Sequence, residues 1–117
     1  MATRKYSTGP LVNTQTSGSN AVRVQIVNNG KSLVTVRVRA FNLGGTNKTR
    51  FYSQTIAVPS NSSSFLTFGV EVFEFEVQIK VRNGDESVRK VLVSVFGLSS
   101  GTLNPSHRVL HKELKRI

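Results

Sequence analysis

Three groups of residues have the types and spacing that catalysis or metal binding requires. The first is Gly97–Gly101, which matches G-x-S-x-G, a sharp strand-to-helix turn that exposes a serine nucleophile. The residues that follow it, Thr102–Pro105, are typical of a turn and not of a helix. Both histidines also precede the acid Glu113, against the order serine, acid, histidine. We therefore interpret Gly97–Pro105 as a loop between strands and predict no catalytic serine.

The second group is His107 and His111. On a helix, histidines four residues apart can bind one zinc ion. On a strand the same spacing separates them by about 13 Å, which is too far for a shared metal. The alternation of residues 107–112 favours a strand, and the chain has no cysteine to complete a site. We predict solvated histidines on an edge strand, with no metal and no cofactor.

The third group is Glu74 and Glu76, which share one face of a predicted strand at about 6–7 Å. Paired carboxylates perform acid–base catalysis in glycosidases. Nothing in the sequence places another functional group beside them. Arg37 and Arg39 have the same spacing, so we predict cross-strand ion pairs between the two sets. The sequence therefore indicates a protein that is not an enzyme.

These residues depend on strands, and the central strand is predicted at Val72–Arg82. Phe73, Phe75 and the following apolar residues alternate with charged or polar ones, so one face of the strand is apolar. Similar patterns predict strands at Ala21–Asn28, Leu33–Asn42, Thr49–Val58, Phe65–Phe68, Val88–Phe96 and Ser106–Ile117, the last with a helical turn as an alternative at Glu113–Ile117. Hairpin turns are predicted at Asn28–Gly30 and Asn83–Asp85.

Regularly spaced strands without a convincing helix predict an all-β protein with one antiparallel β-sandwich over residues 20–117. A jelly-roll-like topology is the first choice, with an immunoglobulin-like sandwich and a Greek-key barrel as alternatives. Residues 1–19 are rich in Ser, Thr and Gly and have no sustained period. We interpret them as an extended N-terminal arm outside the core, with Lys5-Tyr6 and Leu11-Val12 as its anchors.

The charge of the chain is strongly basic, at +10. Residues 1–70 carry eight bases and no acid, so the two signs of charge are segregated. A basic sheet face is predicted from Arg23, Arg37, Arg39, Lys48, Arg50, Lys80 and Arg82. Such a face can bind nucleic acid when aromatic platforms accompany it, and Phe41, Phe51 and Tyr52 are the candidates here. A solvated strand face is the preferred interpretation, and nucleic-acid binding is the less favoured one.

Four stretches carry a resemblance to a known family: Thr8–Asn13, Val58–Ser63, Val72–Val77 and Asn104–Leu110. Together they resemble the subunits of endospore appendages, the pilus-like fibres on spores of Bacillus-type bacteria. The resemblance implies a jelly-roll subunit whose N-terminal connector docks into a neighbouring copy, with strands pairing across subunits. The cysteines that cross-link known members are missing from residues 1–19, so only non-covalent assembly is expected.

The expected function is a structural subunit that assembles into an open helical filament on the spore surface or exosporium, with a spore-surface anchor protein as a further partner. Expected subunit contacts are Lys5, Tyr6, Pro10, Leu11, Val12, Arg37, Arg39, Glu71, Glu74 and Glu76. The first residues contain no apolar run, so we expect synthesis in a cytosol and no membrane contact. The resemblance implies that this is the mother-cell cytosol. The alternatives are a module that binds an anionic polymer, nucleic acid or cell-wall glycan, and an exosporium adaptor that does not polymerise.

Overall fold

The computed structural model describes residues 2–13, 18–83 and 90–117. Their strands are β1 (Ala2–Ser7), β2 (Leu11–Val12), β3 (Ala21–Asn28), β4 (Val34–Asn42), β5 (Thr49–Val58), β6 (Ser62–Gly69), β7 (Glu74–Asn83), β8 (Val91–Ser99), β9 (Thr102–Val109) and β10 (Lys115–Arg116). Sheet A has the order β10-β1-β7-β4-β5, with β2 also paired to β7, and sheet B has the order β6-β3-β8-β9. Neighbouring strands are antiparallel in both sheets.

The core lies between the two sheets and consists mostly of β-branched side chains. Alternation along β3, β4, β7 and β8 turns every second residue inward, so the inner faces are apolar. The central position of β7 is confirmed, since β1 and β4 flank it and Phe75 is fully buried. Phe73, expected on the same apolar face, lies before β7 and is 66% exposed. The all-β antiparallel sandwich is therefore confirmed.

The chain crosses repeatedly between the sheets, in a jelly-roll-like manner. Strand β3 lies in sheet B, β4 and β5 in sheet A, β6 in sheet B, β7 in sheet A and β8 in sheet B. The hairpin predicted at Asn28–Gly30 is therefore wrong, because β3 and β4 belong to different sheets. This segment is instead a corner held by the buried Asn28, whose amide donates to the carbonyls of Ser32, Val58 and Pro59 at 2.9–3.1 Å.

The stretch predicted as a loop at Gly97–Pro105 is a tight hairpin. Strand β8 continues to Ser99 and β9 begins at Thr102, so only Ser100 and Gly101 lie between them. Both have positive φ, 52° and 83°, as expected for a two-residue hairpin turn that matches the strand twist. The G-x-S-x-G match thus falls on a hairpin, with no helix after it. The other predicted hairpin, Asn83–Asp85, lies mostly outside the described residues.

The N-terminal segment is part of sheet A. Strand β1 pairs with β7 over six residues, from Ala2 opposite Asn83 to Ser7 opposite Gln78. Tyr6 is 4% exposed and belongs to the core. The expectation that residues 1–19 form an extended arm outside the core is therefore corrected for residues 2–12, which complete the central sheet of their own chain.

The C-terminal segment contains both strand and a helical turn, but at other bounds than predicted. After β9 ends at Val109, a short 3₁₀ turn spans His111–Glu113, and β10 then pairs with β1. The Ile117 N–H donates to the Lys5 carbonyl at 3.0 Å, so both ends of the chain meet at the same edge of sheet A. Within the described ranges, no helix has the length and apolar character needed to cross a membrane.

Candidate functional site: the basic face of sheet A

The outward surface of sheet A brings basic side chains from four strands together. We define the basic face as Lys5, Arg37, Arg39, Arg50, Lys80 and Arg82. In one row across the sheet, Lys5 lies opposite Lys80, and Lys80 lies opposite Arg37. Directly opposed residues have Cβ atoms about 4.5–5.5 Å apart, and like charges in this arrangement repel. The row therefore concentrates positive charge that its own members cannot neutralise.

Neighbouring positive charges contribute to lowering the pKa values of two cations in this row. The charge of Arg37 lowers the pKa of Lys80 most, followed by partial desolvation and by the charges of Lys5, Arg82 and Arg39. Desolvation lowers the pKa of Arg37, with further contributions from Arg39 and Arg50. The Nε atoms of Arg37 and Arg39 are shielded from solvent and have no hydrogen-bond partner among the described residues. Within the described ranges, these two guanidinium nitrogens lack an acceptor, and neighbouring cations in the row repel one another.

The predicted ion pairs between Arg37 or Arg39 and the two glutamates are wrong, because the register places other residues opposite the arginines. Arg39 lies opposite Gln78, and Glu76 lies opposite Phe41. Glu76 instead forms an ion pair with Lys48 and accepts a hydrogen bond from Ser7. Burial alone would raise the pKa of Glu76, but these contacts, the Gln78 amide and the Lys48 charge hold it below its ordinary value. Glu76 is therefore already neutralised at one end of the face.

Two depressions in the basic face meet at Arg37. The larger is a cleft of about 230 Å³ between β7, β4 and β5, lined by Thr35, Arg37, Thr55, Lys80 and Arg82. A smaller hollow on the other side is lined by Lys5, Arg37, Arg39, Gln78, Ile79, Lys80 and Ile117. Both depressions are lined by cations together with neutral polar or apolar groups. The face can therefore hold a ligand whose charged groups are separated by uncharged ones.

The structure brings together only part of the predicted contact set. Lys5, Arg37 and Arg39 join the basic face, whereas Tyr6 is buried and Leu11 packs against the core. Pro10, Val12 and Glu71 are exposed and line neither depression of the basic face, and Glu74 lies opposite Val12.

Two of the predicted bases are not part of the basic face. Lys48 is paired with Glu76, and Arg23 lies on sheet B with its guanidinium 4.1 Å from the centre of the Phe65 ring. Sequence reasoning missed Thr35 and Thr55, whose positions beside the cations depend on the strand register.

His107 is not the solvated histidine that the sequence predicted. It is 4% exposed, with Nδ1 2.6 Å from the Ser19 hydroxyl and Nε2 2.6 Å from the Val12 carbonyl oxygen. A carbonyl only accepts, so Nε2 carries the proton and the Ser19 hydroxyl donates to Nδ1. Asn104 donates to the same hydroxyl oxygen at 3.0 Å. The cluster connects β9 to the segments before β3 through buried hydrogen bonds.

His111 is also held in the structure, because its Nδ1 accepts a hydrogen bond from the Val93 N–H at 3.1 Å. Burial lowers the pKa of His111, as does the charge of Arg4. In the part of the chain that the structure describes, no group of three His, Cys, Asp or Glu side chains could hold a metal ion.

The histidine cluster leaves no space for an added methyl group at Gly97. A Cβ there would lie 2.2 Å from Ser19 Oγ and 2.6 Å from His107 Cβ. We expect Gly97→Ala to lower the free energy of unfolding by about 1–3 kcal/mol in a urea titration. The matched control is Gly69→Ala, whose Cβ would have its nearest neighbour, the Asn20 carbonyl, at 3.9 Å. Equal stability of the two variants would contradict the packing described.

The repulsion in the basic face predicts that removing one charge stabilises the folded protein. We expect Lys80→Gln to raise the midpoint of thermal unfolding at low ionic strength, and the gain to shrink as salt screens the charges. Because the folded-state pKa of Lys80 is lowered, the unfolded chain binds more protons between that pKa and the ordinary value. Stability of the unmodified protein should therefore rise with pH in that alkaline window, and this contribution should be missing in Lys80→Gln.

The control for this charge effect is Lys90→Gln, at an exposed lysine that precedes β8 in sheet B. We expect it to leave the midpoint nearly unchanged. A lower midpoint for Lys80→Gln at every salt concentration would show that Lys80 stabilises the fold. That result would contradict the repulsion described for the basic face.

This protein is thus an all-β sandwich with a basic outer face. Neither a protein-family model nor a curated protein sequence matches the chain. Two solved structures are similar to it, each with a TM-score of 0.55 and 12% sequence identity. The Anabaena sensory rhodopsin transducer matches over 85% of this chain and 90% of its own. Thermotoga maritima 1070 matches over 97% of this chain and 90% of its own. At this identity the similarity shows the fold alone.

Proposed function

We propose that this protein binds a linear anionic polymer through the basic face of sheet A. The observation that supports the proposal is the row Lys5, Lys80 and Arg37, in which three cations of three strands oppose one another with no acid between them. Clustered like charge destabilises a fold unless a ligand neutralises it, and it attracts polyanions from solution. A polymer with regularly spaced negative groups would relieve the repulsion along the whole row.

The neighbouring groups support recognition of charge and not of nucleotide bases. Binding of single strands by stacking requires exposed aromatic faces. Phe41 already has the Lys48 ammonium 4.5 Å from its ring centre, and Phe51 packs edge-on against Phe68. The polymer is therefore expected to bind through its charged groups. Nucleic acid and anionic cell-wall glycan both have such groups, and the binding experiment compares them.

The test is a fluorescence-anisotropy titration with a labelled single strand of about 16 nucleotides and with a labelled anionic glycan. The logarithm of the association constant should fall linearly with the logarithm of salt concentration between about 50 and 200 mM. Cationic or uncharged polymers should not bind. Absence of binding to every polyanion at the lowest salt concentration would contradict the proposal.

A second candidate function is self-assembly into a fibre, and the observation that favours it is the free edge of β5. This strand is ten residues long, mostly exposed, and carries Arg50 as its single charge. Long edge strands with little charge pair readily with other copies. The N-terminal segment does not support this candidate, since β1 pairs within its own chain.

Electron microscopy of the concentrated protein tests the second candidate, and monomers alone would count against it. A place on the spore surface or exosporium would rest on the sequence resemblance.

A further inference from the structure

We infer that the cleft between β7, β4 and β5 is a subsite for a tetrahedral phosphate group, an inference that rests on the function proposed above. The register places Thr35 opposite Arg82 and Thr55 opposite Arg37, while Lys80 lies opposite Arg37 from the other side. Three cations and two hydroxyls therefore surround one cleft of about 230 Å³. The five side chains come from three neighbouring strands and line the cleft on the same face of sheet A.

The donors in the cleft suit a ligand with several oxygens. A carboxylate has two coplanar oxygens, which one guanidinium can satisfy in a bidentate arrangement. Phosphate presents oxygens in a tetrahedron and carries up to two charges, so it can use an ammonium, a guanidinium and neutral hydroxyls together. Arg37, Lys80 and Arg82 supply the cationic donors that line the cleft. The cleft therefore offers more hydrogen-bond donors, and more kinds of them, than a carboxylate requires.

The hydroxyls distinguish this cleft from the hollow on the other side of Arg37. Thr35 contacts the Arg82 carbonyl oxygen only at 3.5 Å, which is the weak limit of a hydrogen bond. Its hydroxyl can turn toward a ligand at little cost, and the Thr55 side chain is exposed beside it. On the other side of Arg37 the hollow contains the apolar Ile79 and Ile117 and no threonine. The phosphate group is therefore assigned to the threonine side.

The test measures binding of small anions by ¹H–¹⁵N NMR titration at constant ionic strength. The probes are inorganic phosphate, dimethyl phosphate, sulfate and acetate. We expect phosphate to bind more tightly than acetate and to shift the amides of β4 and β7 around the cleft. Tighter binding of inorganic phosphate than of dimethyl phosphate would identify a terminal phosphate as the ligand. Tighter binding of dimethyl phosphate would identify the diester of a polymer backbone.

The decisive variant is Thr35→Val with Thr55→Val, which removes both hydroxyls and retains every charge. Loss of two hydrogen bonds of about 1 kcal/mol each predicts roughly 5- to 30-fold weaker phosphate binding, with acetate binding unchanged. Thr67→Val, on the exposed outer side of sheet B, is the control for the substitution itself.

Equal affinities for phosphate and acetate, sulfate as the preferred anion, or no effect of the double substitution would overturn the phosphate assignment. The proposed function would still stand in these cases if polyanions bind with the expected dependence on salt. If no small anion and no polymer binds, both proposals fail. A circular dichroism spectrum of each variant excludes misfolding as the cause of lost binding.

Discussion

Reversing the charges of Arg37 and Lys80 together, by Arg37→Glu and Lys80→Glu, should weaken polyanion binding by about 10- to 100-fold at low salt. Both residues belong to the row where three cations oppose one another, and Arg37 lines both depressions of the face. Each lost contact should also reduce the salt dependence of log K by about one unit of slope. Anisotropy titrations over a range of salt concentrations measure both effects.

The matched control reverses two charges on the other sheet, by Lys90→Glu and Arg108→Glu. These residues are exposed, and Arg108 lies opposite Phe96 in sheet B. The control has the same net charge as the double variant of sheet A, so a simple effect of net charge would weaken binding equally in both. Equal weakening would show that binding depends on total charge and does not involve the basic face.

Replacement of Tyr6 by alanine should lower the free energy of unfolding by about 3–5 kcal/mol, the usual cost of removing a buried aromatic ring. Tyr6 is 4% exposed and packs edge-on against His111, with ring centres 5.1 Å apart. It also lies between β7 and β10, so its loss weakens both neighbours of β1. Urea unfolding followed by circular dichroism measures the change.

Thr3→Ala is the control for Tyr6→Ala, because Thr3 is exposed on the same strand. We expect this control to remain within about 0.5 kcal/mol of the unmodified protein. If Tyr6→Ala were equally mild, residues 2–7 would not belong to the folded core. That outcome would restore the interpretation of the N-terminal segment as a connector for another subunit.

The strands were predictable because their signals are local properties of the sequence. Ala21–Asn28 has the predicted bounds, since apolar side chains that alternate with a period of two fit a strand and not a helix. Thr49–Val58 also has the predicted bounds and ends directly before Pro59, which cannot donate to a ladder. The partners of the strands were harder to predict. The Asn28–Gly30 turn looks like a hairpin locally, but burial of Asn28 among the carbonyls of two connections makes it a corner between sheets.

The N-terminal segment shows why composition can mislead. The abundance of Ser, Thr and Gly indicated an arm. The segment is instead a strand, because Tyr6 is buried and six residues pair with β7. The weak alternation of residues 3–7 was the available signal. Such pairing depends on residues about 75 positions away, opposite Ala2–Ser7 in the register, which no local pattern contains.

The basic face was predictable in composition and not in arrangement. The sequence identified most of its bases, yet predicted that Glu74 and Glu76 would neutralise Arg37 and Arg39. A shift of four residues in register would place Glu76 opposite Arg37 in place of Lys80 and turn a repelling pair into an ion pair. The observed register places Lys80 opposite Arg37 and leaves Glu76 to Lys48. The concentration of positive charge on this face therefore depends on the register of the paired strands.

The most direct test of binding by the basic face is to map the contact surface by NMR. Amide shifts of the ¹⁵N-labelled protein would be followed as a short polyanion is added. We expect the shifted amides to lie on β1, β4 and β7, around Lys5, Arg37 and Lys80. Shifts concentrated on the outer side of sheet B, or spread evenly over both sheets, would contradict binding by the basic face.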